Sequence, residues 1–325
     1  GTFLQEDGMH IVSENLTMAA EGVDSIGTYL LEAGMFVVGR KEWIGSGGSE
    51  AYYQIGGTHV VGSTLSVGGI AGSYGLVEIE AGNLKAGRLE VGTDTGGGYL
   101  GIYFPEALVE VAGSVVLGAN ADMSEFNDVA IHMTGKTAAF INRSIDELRL
   151  IGLAGLDVIF EGGIQMPEGT CGDDDGRVWR GWKSGRYDDH DDDDGWRGYD
   201  RRGGSCGGAH DGHDGGDHNG CGGDQQQQPK WATYEVAGAD VGNLPEGYVD
   251  NFVLRKLVVG GVLPAAVRLV DLNDNGNAAE GANEALYVHD VIVGVGSTLD
   301  LNGLNMYANG TLDIQGTVTN GVIQQ

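Results

Sequence analysis

Phe3-Leu-Gln-Glu-Asp-Gly8, Tyr29-Leu-Leu-Glu-Ala-Gly34, Tyr52-Tyr-Gln-Ile-Gly-Gly57, Val77-Glu-Ile-Glu-Ala-Gly82 and Ile102-Tyr-Phe-Pro-Glu-Ala107 align without gaps. In each, an aromatic or branched residue stands five positions before a glycine, with Ala107 replacing the glycine in the fifth copy. A second apolar run follows every turn: Met9–Val12, Met35–Val38, Thr58–Val61, Asn83–Ala86 and Leu108–Val111. A third follows that: Leu16–Met18, Trp43-Ile44, Leu65–Val67, Leu89–Val91 and Val115–Leu117. The period is about 25 residues, and alternation such as Leu89-Glu90-Val91 is that of strands. No single unit can bury its apolar face alone, so unit must stack on unit. The expected fold is all-β: a β-solenoid (β-helix) of three-strand coils, with a β-sandwich as the competing arrangement. A looser sixth copy runs from Ile131 to Leu150 and passes on to Leu153, Leu156, Val158 and Phe160.

Working outward, the repeats occupy residues 1–163, and strand patterns return over 231–325, for example Leu257–Val259, Val267–Val270, Leu286–His289 and Val291–Val293. These read as a continuation of the same solenoid. Between them lies an insert over 164–230, rich in Gly, Asp, His and Cys. Residues 171–228 alone hold 14 Asp, 4 His and 16 Gly, with all of the chain's cysteines. Asp191, Asp192, Asp193 and Asp194 suit a hard cation such as calcium. His210, His213 and His218 suit another divalent, transition metal. A solvated acidic loop without a metal is the plain alternative. Cys171, Cys206 and Cys221 could form one disulfide and leave a thiol for a neighbouring chain. They could also join a histidine around zinc, although no CxxC spacing supports it. Trp179, Trp182 and Trp196 alternate with arginines and are candidate interface anchors. Phe3, in the first repeat, is another.

The segment Val267-Arg-Leu-Val-Asp-Leu-Asn-Asp-Asn275, then Glu284–Gly294 and Ser297–Asn305, resembles a recurrent stretch of repetitive secreted bacterial proteins. That group is often sorted by a C-terminal PEP-CTERM signal and is associated with planctomycete-like bacteria. The N-terminal repeats are similar to autotransporter passengers and the same secreted group. The resemblance covers most of the chain outside 171–228, and implies export, a β-solenoid and a surface or matrix role. The chain departs from the group in showing no sorting helix before Gln325 and in carrying the insert.

Asp271-Leu-Asn-Asp-Asn-Gly276 also has the opening of a calcium loop, with Asp271, Asn273 and Asn275 at alternate positions. Ala282 stands where a bidentate Glu is usual, so Glu280 or Glu284 would have to substitute. An Asn/Asp/Gly turn without metal is the competing reading.

A net charge of -29, with 18 Lys plus Arg against 47 Asp plus Glu, argues against nucleic acid, which needs clustered cations. No apolar run is long enough to span a membrane. The chain has no GxSxG, HExxH or P-loop. Glu78 and Glu80, in a ladder with Glu90, are the candidate acids of a polysaccharide lyase or hydrolase. His10, His59, His132 and His289 read as ordinary strand residues. The expected function is non-enzymatic: an extracellular or cell-surface structural protein whose solenoid stacks head to tail on copies of itself. That expectation rests on end repeats without caps, and calcium is the expected stabilising ion. The alternative is a monomeric adhesin that binds cell-surface polysaccharide through Tyr52, Tyr53, Tyr74 and Tyr99.

Overall fold

The computed structural model describes residues 1–18, 25–69, 71–126, 128–144, 146–162, 231–249, 251–275 and 283–325. Over these residues the chain is a β-solenoid of about 9 turns. Its three faces are built from the three strand runs of each repeat. On the first face Thr2–Gln5, Ile26–Leu31, Ser49–Gln54, Tyr74–Ile79 and Gly97–Ile102 pair in parallel, in that order. On the second, Met9 pairs with Met35, Met35 with Thr58, Thr58 with Asn83 and Asn83 with Leu108, steps of 26, 23, 25 and 25 residues. On the third, Leu16 pairs with Glu42, Glu42 with Leu65, Leu65 with Leu89 and Leu89 with Val115. Thr58–Val67, Gly82–Val91 and Glu284–Val293 each run unbroken round a corner, so they serve two faces at once.

The alternation read from sequence decides which side chains fill the coil. Leu84, Ala86, Leu89 and Val91 point inward and are buried, while Lys85 and Glu90 face outward. Each fully buried Val or Leu contributes on the order of 1.5–3 kcal/mol, and every coil lends its apolar stripe to the next. The recurrent glycines are forced by close stacking. Gly57 and Gly82 have φ of +69° and +90°. A Cβ on Gly57 would lie 2.7 Å from Gly34 O, and one on Gly82 2.3 Å from Gly57 O. The two glutamines that precede such turns, Gln5 and Gln54, are buried and donate to turn carbonyls: Gln5 Nε2 to Gly8 O and Gln54 Nε2 to Gly57 O.

Three departures from the sequence reading have physical causes. In the fifth copy Val77 pairs with Leu100, not Ile102, although Gly82 still pairs with Ala107. The turn Tyr103-Phe-Pro-Glu106 takes up the two extra residues, and Ala107 has no positive φ to impose a glycine. Second, Leu150 and Leu153 lie on no strand. The 3-10 helix Glu147–Gly155 replaces the first-face strand of its coil and buries both leucines, with Asp146 accepting from Arg149 N at its start. Met123 N donates to Arg149 O, so backbone stacking continues through it. Third, Gly238–Ala239 pairs antiparallel with Glu284–Ala285, the one reversal among the described strand pairs.

Strands on either side of the insert stack directly: Phe140 pairs with Tyr234, and Phe160 with Val259. Leu254–Val259, Ala266–Val270, Glu284–Val293 and Thr298–Asp300 then carry the faces on to Leu312–Ile314 and Thr317–Thr319. Among the described residues no helix is long and apolar enough to cross a membrane.

Candidate functional site

Two columns of rings stand inside the first coils. Phe3, Tyr29 and Tyr52 are in register on the first face, and His10, Phe36 and His59 on the second. They interleave: Phe3–Tyr29 4.9 Å, Tyr29–Phe36 4.4 Å, Phe36–His59 4.8 Å and Tyr52–His59 4.6 Å between centroids. Such pairs are worth about 0.5–1.5 kcal/mol each beyond the area they bury. The side chains of the first coil are covered less than those of the coils after it. Phe3 is 47% exposed and Ile11 60%, beside the exposed Leu4 and Met9. Among the described residues, Thr2–Gln5 and Met9–Val12 each pair with one strand, Ile26–Leu31 and Met35–Val38.

At the inner end of the columns lies a buried carboxyl–imidazole pair. Glu42 occupies the core position that Leu65 and Leu89 fill in later coils. His59 Nε2 meets its Oε2 at 2.7 Å, and both side chains are fully buried. Burial and then the Glu42 charge push the Tyr29 and Tyr52 hydroxyls well above the usual phenol range. His59 is therefore not an ordinary strand histidine; it is the partner that lets a carboxylate sit where a leucine would. Glu50, also buried, is met by backbone instead: Gly45 N and Ser46 N donate to it, and burial pushes its carboxyl up to about 7.

A second buried acidic site spans the coils on either side of the insert. Glu235 ends the strand Ala232–Glu235, and Glu284 begins Glu284–Val293. The segment that begins at Asp271 packs over them. Leu272 N and Asn273 N donate to Glu235 Oε1 at 2.5 and 2.7 Å. Asn275 N donates to Glu284 Oε1 at 2.9 Å, and Glu284 N to Asp271 Oδ2 at 3.2 Å. The Asn275 side chain turns inward and donates Nδ2 to Asn142 O and Ser144 O at 3.3 and 2.7 Å. Glu235, Glu284, Asn275, Asn142 and Ser144 are all buried. Among the described residues, none donates to Glu235 Oε2, Glu284 Oε2 or Asn275 Oδ1. Burial pushes the Glu284 carboxyl up to about 7. Asn275 N opposes that rise, and the charges of Asp271, Asp274 and Glu235 add to it. Glu235 is likewise raised, first by burial.

Of the residues singled out in the sequence, Asp271, Asn273 and Asn275 thus come together with Glu284. Asp191, Asp192, Asp193, Asp194, His210, His213, His218, Cys171, Cys206, Cys221, Trp179, Trp182 and Trp196 lie outside the described residues, as do Gly276, Glu280 and Ala282. Glu235, Asn142 and Ser144 were not anticipated, because nothing local marks them and Asn142 is 133 residues from Asn275.

Two expectations are corrected. Tyr52 is fully buried and Tyr99 is 8% exposed, so neither offers a face to a sugar; Tyr74, at 41%, does. Glu78 and Glu90 form no ladder, because they lie on different faces: Glu78 pairs with Tyr53, and Glu90 with Ser66. Glu78 instead accepts from the Tyr103 hydroxyl, and Glu90 from Arg88.

Among the described residues, no group of three or more His, Cys, Asp or Glu side chains is poised to hold a metal ion. No family model, curated protein or solved structure matches the chain.

Proposed function

We propose that this is an extracellular structural protein whose solenoid lengthens by docking coil on coil with copies of itself. The observation that carries the reading is the coil-on-coil stacking itself, in which strands of successive coils pair in parallel and in register at a nearly constant step. Each coil buries such in-register side chains as Tyr29 and Tyr52 against its neighbours, and the same surface on a copy would be covered in the same way. A one-sided strand edge is a template for further pairing, and the ring columns supply a register for it. A contact between unlike ends propagates as a filament unless it closes into a ring. The net charge of -29 opposes association, so cations in solution screen the repulsion.

Sedimentation velocity over a range of concentrations, with negative-stain imaging in calcium and in chelator, tests this. Concentration-dependent polymers that Phe3→Asp with Ile11→Asp abolishes are the expected result. Monomers under every condition would sink the reading. The polysaccharide-binding alternative keeps Tyr74 and the half-buried Tyr53 as its aromatic candidates.

A further inference from the structure

We propose that Glu235, Glu284 and Asn275 form a binding site for one hard divalent cation, of the calcium class, that ties the coils before the insert to those after it. The proposal is independent of self-assembly.

Two buried carboxylates would not by themselves make a site. The Asn275 side chain is the separate observation. It is 1% exposed, and its amide nitrogen is held by the carbonyls of Asn142 and Ser144. That fixes the sense of the amide, since a flipped Asn would set oxygen against two carbonyl oxygens. Oδ1 is therefore left buried without a donor, next to the Glu284 carboxylate that the same residue's backbone N–H contacts. Leaving one such acceptor unsatisfied costs about 1–3 kcal/mol, and more when it is charged. Here three oxygens are left so, and two of them belong to acids. Every group that meets Glu235 or Glu284 through the other oxygen is a backbone N–H, apart from the Asn273 side chain on Glu235. None of the ion pairs among the described residues includes Glu235 or Glu284. The donor set is oxygen only, carboxylate plus amide, which suits a hard cation and not the softer metals that histidine or cysteine select. Asp271 adds negative charge at the rim through its contact with Glu284 N. Bound there, the ion would join the strand Ala232–Glu235 to the strand Glu284–Val293 and, through Asn275, to the turn after Ala139–Asn142.

Calcium titrated into the full chain by calorimetry, with melting curves in parallel, tests this. Glu284→Gln and Glu235→Gln should each weaken one calcium site on the order of a hundredfold and lose the calcium-induced rise in Tm. A chain in which Asp191, Asp192, Asp193 and Asp194 are changed to Asn should keep both. Hydrogen exchange on the unsubstituted protein covers the case in which a variant does not fold. Calcium should slow the amides of Leu272, Asn273, Asn275 and Glu284 more than those of the first five coils. Gln variants that bind calcium like the parent would overturn the proposal. So would amides at 272–284 that calcium leaves unchanged, which would mean that protons alone occupy the site.

Discussion

The solenoid buries carboxylates in its early coils and again around the insert, and it handles the charge differently in the two places. Glu42 faces His59 at 2.7 Å inside a stack of rings. Glu235 and Glu284 face amides and each other's field, with no cationic side chain among their described contacts. Depth of burial is the same, so depth alone does not decide what a buried acid does. What differs is the partner the chain supplies: an imidazole side chain at Glu42, and chiefly backbone N–H groups at Glu235 and Glu284.

Removing one partner tests the contrast hardest. His59→Leu should lower stability by about 3–5 kcal/mol, because Glu42 is then buried alone. Glu42→Leu with His59→Phe should recover most of that, since an apolar pair fits a leucine position. Urea midpoints at pH 7 read both. The same neutralisation should act with opposite signs in the two places. Glu42→Gln should destabilise, whereas Glu235→Gln with Glu284→Gln, measured in chelator, should stabilise by about 1–3 kcal/mol.

Glu50 sharpens the comparison through pH. Its carboxyl is raised from 4.5 to about 7, chiefly by burial, so the folded state holds the proton more tightly than the unfolded chain. Its contribution to stability is complete below about pH 4.5 and is lost as pH rises through about 7. Chelator-treated Glu50→Gln should lose less stability than the parent between pH 5 and 7.5, as read from urea midpoints; parallel curves would contradict this. The smallest effect belongs to the surface. Glu110→Gln breaks the half-exposed pair with Lys85 and should change stability by under about 1 kcal/mol.

The coil register was legible because glycine is the one residue that fits where stacked turns nearly touch, so Gly34, Gly57 and Gly82 mark it directly. Ile102 was set against Val77, the place Leu100 takes, because counting back from Ala107 assumes a turn of constant length, and Tyr103–Glu106 is longer. Glu42 went unnoticed because the third run was sought as apolar residues and so began at Trp43. Parity would have found it, since inward positions alternate and Ile44 points in. The Asp271–Asn275 segment was legible as a cluster of oxygen ligands, but its counterparts were not. Glu235 and Asn142 look like strand-end polar residues until the solenoid brings distant coils together.

One junction sets the order in which this molecule can fold. Along the first coils each new strand finds its partner within about 25 residues of chain. At the insert, Phe160 must find Val259, 99 residues on. The entropy of closing a loop rises as the logarithm of its length, so this one step carries about 1 kcal/mol more than its predecessors. That is enough to slow it by less than tenfold. Refolding should therefore show the early coils protected first and the later ones after a single lag, and a chain emerging from the ribosome completes the first half of the stack before the residues that extend it exist.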